Sequence, residues 1–298
     1  MSTLYDIKLK ISYRYEYPAA AGRSLLRIMP LNLPDQQLIS GAVSCDPPSD
    51  FRRDSADFFG NRTTELAHDR SLSRITFRFD GRVRRSADLV SFDLSRGLSA
   101  IRQETDAIRS IQPTSPHHFL GASERVTPGA EISDFARDTV RSDMSTLAAV
   151  QAISHALHRT MTFDPESTEV STNPLDAFRK RRGVCQDFTH IMIAALRAVD
   201  IPAGYVSGFI RTIPPEGKER LEGADAMHAW VRAWCGADAG WVQIDPTNNM
   251  MAGNDHVIVA IGRDYADVSP VKGSMRAFGR QTTRHEVDMV SVSPAPAP

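Results

Sequence analysis

The chain has 298 residues, which at ~150 residues per domain suggests about two domains. Lys plus Arg is 35 and Asp plus Glu is 36, a formal net charge of −1. This balance excludes a large basic field for wrapping nucleic acid and excludes a polyacidic solvating chain. A hydrophobic fraction of 41% beside 24% charged residues belongs to a chain that buries a core.

The three cysteines, Cys45, Cys185 and Cys235, are too few and too odd in number for a disulfide framework, and they fit a reducing compartment. The N-terminus alternates polar and apolar residues and has no apolar core of a signal peptide. No apolar run approaches the ~18 residues of a membrane span. The expectation is a cytoplasmic protein with neither membrane nor nucleic acid as partner.

Residues 4–17 alternate with period two, Tyr5, Ile7, Leu9, Ile11, Tyr13, Tyr15 and Tyr17 on one side, which predicts a half-buried strand. Pro18 to Gly22 reads as a turn, and 24–30, 37–45 and 71–80 as further strands, with a hairpin tip at 58–62. Short strands with turn signals at this spacing predict an antiparallel β-sandwich domain over 1–90. Pro and Gly punctuate a connector over 91–130, with one helical turn expected near Phe119. Helices follow, capped by Ser133, by Ser145 and by Asn173 with Pro174 at the first helical position. From Cys185 the apolar positions Phe188, Ile191, Met192, Ala195, Leu196 and Val199 predict an amphipathic helix, stopped by Asp200 and Pro202. Strands are expected over 204–212, 228–235, 241–245 and 257–261. Helices followed by an antiparallel meander make an α+β domain over 131–290, and the Pro/Ala tail 291–298 reads as disordered.

Cys185 stands where a loop becomes that helix. Unpaired N–H groups and the positive end of the macrodipole favour a thiolate there. Lys180, Arg181 and Arg182 add positive charge, and Gly183 is expected to permit a tight or left-handed turn. His228 begins a strand, and the loop 236–240 turns it back into Trp241–Asp245. Folding the hairpin about Asp238 sets His228 opposite position 247 and leaves Asp245 a diagonal neighbour, within side-chain reach. An imidazole and a carboxylate together are what an attacking thiol needs: a base, and a group that fixes its tautomer. Taken singly, each residue has an ordinary explanation: a buried thiol, a core histidine, a turn aspartate before Pro246. Their joint occurrence carries the reading.

The segments RRGVCQDFTHI, DAMHAWVRAW and GWVQIDPTN resemble the three motifs of the transglutaminase-like superfamily of cysteine enzymes. The downstream DHVIVAIGRDYADVSPVKG and the N-terminal sheet resemble its bacterial branch, which carries a transglutaminase-like N-terminal domain. The resemblance covers nearly all of 1–275. It implies a papain-like α+β catalytic domain behind the β-sandwich, with Cys185 as nucleophile, His228 as base and Asp245 as orienting group. It does not imply protein crosslinking.

The expected chemistry is cleavage or transfer of the acyl group of an amide or peptide bond through a thioester. The backbone N–H of Cys185 is one oxyanion donor; a second is left unassigned, Gln186 included. The substrate class is a peptide, protein or small-molecule amide. No cofactor and no metal is required, and the acidic sites of the superfamily's calcium-dependent animal members are not visible. His155 with His158 and the pair His117-His118 lack the spacing of a zinc site. Trp230, Trp234 and Trp241 read as core or cleft wall, and Cys235 as a buried thiol on the strand face opposite His228. The N-terminal sheet is expected to brace the catalytic domain or to wall the cleft, with a homo-oligomer interface as another use. Two rivals remain: a non-catalytic binding module on the same fold, and an N-acyltransferase with a small thioester donor.

Overall fold

A computed structural model describes residues 2–87, 92–212 and 225–292. In chain order the elements are β1 (Thr3–Leu26), β2 (Gln36–Asp46), β3 (Phe51–Ala56), β4 (Arg62–His68), β5 (Leu72–Arg85), α1 (Leu98–Ala107), a 3₁₀ turn at Pro116–Phe119, α2 (Ala130–Thr139) and α3 (Thr146–Thr160). Then come β6 (Thr162–Phe163), α4 (Pro174–Lys180), β7 (Arg182–Gly183), α5 (Cys185–Arg197), β8 (Ala203–Ile210), β9 (Ala226–Trp234) and β10 (Trp241–Asp245). The chain ends with β11 (Met250–Met251), β12 (His256–Gly262), α6 (Tyr265–Val268), β13 (Val271–Arg276) and β14 (Gln281–Val292). Among the described residues no helix is long and apolar enough to cross a membrane.

The N-terminal part is a curled antiparallel sheet of seven strands built around β1. Tyr5, Ile7, Leu9 and Ile11 are at most 1% exposed, so the period-two face is the core face. The expected turn at Pro18–Gly22 is absent. β1 instead runs through it with register shifts between Arg14 and Ala19 and between Ala20 and Gly22. The unpaired residues bend the strand, and Pro18 falls in the gap where no ladder bond is required of it. The two ends of β1 thereby pair with different strands, β5 and β14 at the start, β4 and β13 at the end. The result is one curled sheet shared by both layers rather than two independent ones.

Two expected boundaries shift. β13 and β14, assigned from sequence to 131–290 and its tail, return to pair with β1. Ser291 and Val292 belong to β14; residues 293–298 lie outside the described residues. In the connector, α1 forms where no helix was expected, and α2 starts from Gly129 with Ser133 inside it rather than at its cap. Ser145 and Asn173 do cap: their side chains accept from Ala148 N and Leu175 N.

The C-terminal half holds a five-stranded antiparallel sheet in the order β11-β10-β9-β8-β12. α5 packs on β9 and β8 and is surrounded by α2, α3 and α4. Every residue of α5 from Gln186 to Leu196 is therefore buried. The amphipathic stripe read from sequence marks only part of the buried circumference; sheet and helices together cover the helix all round.

The N-terminal sheet holds the outer edge of β12 with side-chain amides. Gln36 Nε2 donates to Ile258 O at 2.7 Å while Ile258 N donates to Gln36 Oε1 at 2.7 Å. Asn61 repeats this at Ile261, donating at 2.8 Å and accepting at 2.7 Å. Arg85 Nε donates to His256 O at 2.9 Å. With Leu31 N, which donates to Ile258 O at 3.1 Å, two amides and a guanidinium thus close an open sheet edge in place of another strand.

Candidate active site

Cys185 is the first residue of α5, where first-turn N–H groups have no intrahelical acceptor. The entry to the helix is set by Asp187, which accepts from Val184 N at 2.8 Å and from Thr168 Oγ1 at 2.6 Å. Burial raises the pKa of this carboxyl, and the two donors oppose the rise. Gly183 has its place for a reason other than the expected left-handed turn. A Cβ there would lie 2.6 Å from Asp187 Oδ2, so only glycine lets this carboxylate fold back over the turn. The left-handed residue is Arg181, with φ 53°.

β9 and β10 pair with Trp234 opposite Trp241 and Val231 opposite Ile244, the register expected from folding about Asp238. The diagonal contact follows: His228 Nε2–H donates to Asp245 Oδ2 at 2.7 Å. The Cys185 thiol is close enough to the same imidazole to interact with it electrostatically. The structure thus brings Cys185, His228 and Asp245 together, although they come from a helix and two strands.

Burial disfavours charge on His228, but its interactions with Asp245 and Cys185 outweigh that and raise its pKa to about 10. Burial likewise opposes charge on Asp245, yet its donors hold the carboxyl well below the usual range. These are His228, His256 Nε2 at 3.2 Å, Asn248 Nδ2 at 2.7 Å and the backbone N–H groups of Thr247 and Asn248 at 2.9 and 3.1 Å.

Sequence reasoning missed His256 and Asn248. Asn248 follows the Asp-Pro turn and could have been found as its capping amide. His256 could not, because it enters from β12, separated from β9 by β8. Gly208 on β8 makes that approach fit: a Cβ there would lie 2.1 Å from Val257 O and 2.5 Å from the Trp230 ring. Trp230 fills the space, stacked near His228 at 6.1 Å and edge-on to His256 at 5.1 Å, with Nε1–H donating to Gln243 Oε1 at 2.8 Å.

The other sequence candidates have structural partners. His158 Nδ1 donates to Thr247 O at 3.0 Å and His155 Nδ1 accepts from Asn249 Nδ2 at 3.0 Å, so both tie α3 to the turn after Asp245. His117 and His118 donate to Ile108 O and Ile111 O. Gln186 Nε2 donates to Val170 O at 2.9 Å, which commits that amide to the cleft wall. Cys235 is fully buried, and burial raises its thiol to about 12. Cys45 has a histidine near it that sequence did not show, His68, with Nε2 4.0 Å from the sulfur. That nitrogen donates to Pro47 O at 3.2 Å, so it is no base for the thiol. His228, Asp245 and His256 offer ligand atoms within 4.8 Å of one another. A cation there would have to break both imidazole–carboxylate bonds.

A thiol at a helix start, an imidazole near it and a buried carboxylate behind are the groups that acyl transfer by a cysteine requires. Residues 133–246 match the transglutaminase-like superfamily, and residues 5–84 match the bacterial transglutaminase-like N-terminal region. The chain belongs to the transglutaminase-like superfamily, in its bacterial arrangement with that N-terminal region. It is 29% identical over 283 residues to an uncharacterized protein of Mycobacterium tuberculosis, covering 90% of this chain and 86% of that one. A shorter stretch of 71 residues is 37% identical to a protein-glutamine gamma-glutamyltransferase of Pseudomonas aeruginosa, covering 24% of this chain and 10% of that one. The crystal structure of a candidate cysteine protease from Cytophaga hutchinsonii superposes with a TM-score of 0.72 at 19% identity, covering 100% of this chain and 93% of that one. At that identity the likeness shows the fold.

Proposed function

We propose that the protein is a cysteine acyl-transfer enzyme acting on an amide or peptide bond. The observation that carries this reading is the imidazole of His228, held by Asp245 at 2.7 Å and within interaction range of the Cys185 thiol at the start of α5. Cys185 gives its proton to His228 and its sulfur attacks the carbonyl carbon. The carbonyl oxygen takes the negative charge, and the Cys185 backbone N–H stabilises it. The C–N bond breaks, the amine leaves with the proton from His228, and a thioester remains. Water or a second amine, deprotonated by His228, releases the acyl group. Asp245 fixes the imidazole tautomer and balances its positive charge.

The test is alkylation by iodoacetamide followed by peptide mapping. Cys185 is expected to react faster than Cys45 and Cys235, and His228→Ala is expected to slow it toward an ordinary thiol. A Cys185 rate indifferent to His228→Ala would move the assignment to a binding module.

A further inference from the structure

A cavity of about 510 Å³ lies beside the N-terminus of α5, walled by Arg125, Val170, Tyr265, Val271, Lys272 and Gly273. That volume is in the range of ligand sites, about 300–1,000 Å³. It adjoins the candidate active site through two contacts. The carbonyl of Val170 accepts from Gln186, the neighbour of Cys185, and from the Arg125 guanidinium. The Tyr265 ring lies 6.2 Å from that of Tyr205, whose hydroxyl is within electrostatic reach of Cys185. The Nε of Arg125 is buried with no acceptor among the described residues.

Three consecutive residues of β13, Val271, Lys272 and Gly273, line this cavity. Side chains alternate along a strand, so a strand that presents successive residues presents its edge. The register agrees. Arg27 N donates to Pro270 O at 2.8 Å, so Leu25/Lys272 and Arg23/Ser274 are the pairs bonded to β1. The N–H and C=O groups of Val271 and Gly273 point the other way. Among the described residues no strand pairs with that edge. The edge of β12 is closed by Gln36, Asn61 and Arg85; that of β13 is left open along a cavity whose wall, Val170, bonds the neighbour of Cys185.

A second cavity, of about 290 Å³, continues along the same strand and shares Val271 and Gly273 with the first. Tyr13, Tyr15, Phe77 and Met275 line it, in the N-terminal sheet, with the polar side chains of Ser24 and Gln281 beside them.

We propose that the substrate is an extended peptide, laid as an added strand on the free edge of β13 at Val271 and Gly273, with one apolar side chain in the cavity of Tyr13, Tyr15, Phe77 and Met275. Main-chain bonds to the edge supply affinity for any sequence, and the cavity selects the side chain. The inference rests on the acyl-transfer reading of Cys185 and names its substrate class. A small amide has no row of backbone groups to match such an edge, and a pantetheine arm, with two amides, has no side chain for the adjoining cavity. The N-terminal sheet then walls the substrate cleft as well as bracing β12.

The test uses acetyl-capped peptidyl acyloxymethyl ketones with a tetraglycine arm, in which a single Phe is walked along the arm. Labelling of Cys185 is followed by mass spectrometry, with iodoacetamide as a probe that needs neither edge nor cavity. One Phe position is expected to label about tenfold faster than tetraglycine, and N-methylation of the arm's amides is expected to remove the gain. Gly273→Pro deletes an outward N–H that β1 does not use, and it should remove the same gain while leaving the iodoacetamide rate unchanged. Rates indifferent to Phe position and to N-methylation, with iodoacetamide labelling intact, overturn the peptide assignment alone. The N-methyl comparison decides the matter on the unaltered chain even if Gly273→Pro fails to fold. Loss of the His228-dependent iodoacetamide reaction overturns the acyl-transfer reading instead.

Discussion

His228 and His256 donate to one and the same oxygen, Asp245 Oδ2, at 2.7 and 3.2 Å. The His256 tautomer is fixed from behind, because its Nδ1 accepts from Gly253 N at 3.3 Å and leaves Nε2 to carry the proton. Asp245 is therefore held in position by a ring that never faces the thiol. His256→Phe should keep the thiol reactive but loosen the carboxylate. We expect about 1–3 kcal/mol lower stability by chemical denaturation, from the lost bond to a buried charge. Cys185 alkylation should slow several-fold, and Asp245→Asn should slow it further because it removes the carboxylate itself. Equal rates in all three proteins would show that Asp245 does not act through His228.

Gly183 and Asp187 make a second coupled pair. In Gly183→Ala the new Cβ, 2.7 Å from Asp187 Cβ as well as close to Oδ2, must displace the carboxylate that caps α5. Loss of an N-terminal cap costs about 0.5–2 kcal/mol, and the helix start that carries Cys185 shifts with it. The expected outcome is a lower melting temperature together with slower alkylation of Cys185. An unchanged alkylation rate would show that the turn does not position the sulfur.

The three proposed catalytic residues were legible because each depends on short-range pattern. A helix start, a hairpin register and a turn are all encoded within about twenty residues of chain, and the contact between His228 and Asp245 follows from the hairpin alone. What was not legible depends on strand order. His256 reaches Asp245 only because β12 and β9 flank β8 and because Gly208 leaves room for Trp230, and no local periodicity reports this. The same applies to β13 and β14, whose sequences read as continuing the catalytic domain but whose partner is the first strand of the chain. The bent β1 was misread as two strands because Pro18 and Gly22 signal a turn equally well when they mark a break in pairing.

The closure of β12 by side chains can be tested directly. Gln36→Ala leaves Ile258 N–H without its partner, while Ile258 C=O keeps Leu31 N at 3.1 Å, and Asn61→Ala removes the side-chain partner of both Ile261 N–H and C=O. Each should destabilise by about 1–3 kcal/mol, the cost of stranding buried backbone groups. Because β12 carries His256, Gln36→Ala should also slow Cys185 alkylation, although Gln36 lies in the other domain. Stability lost with no change in rate would make the contact a brace without influence on the site.

The buried histidines give stability a pH dependence of opposite sign on the two sides of neutrality. His190 accepts from Tyr265 N at 3.2 Å, and its pKa is lowered to about 3, chiefly by burial, with Asp264 opposing. Below an unfolded value of ~6.5 the unfolded chain takes up a proton that the native imidazole refuses, so stability falls as pH drops from ~6.5 toward about 3. His228 is raised to about 10, so its stabilisation is complete below ~6.5 and is lost as pH rises through about 10. Each group contributes a slope of up to ~1.4 kcal/mol per pH unit inside its own window. Denaturation midpoints at pH 5, 7 and 9 should therefore fall on both sides of neutrality. His190→Gln should flatten the acid side alone, since it removes the group that resists protonation. His228→Gln should flatten the alkaline side alone, since the imidazolium that Asp245 and Cys185 hold is gone. Curves that run parallel to the unaltered protein would show that these two rings are not the groups that set the pH range of the fold.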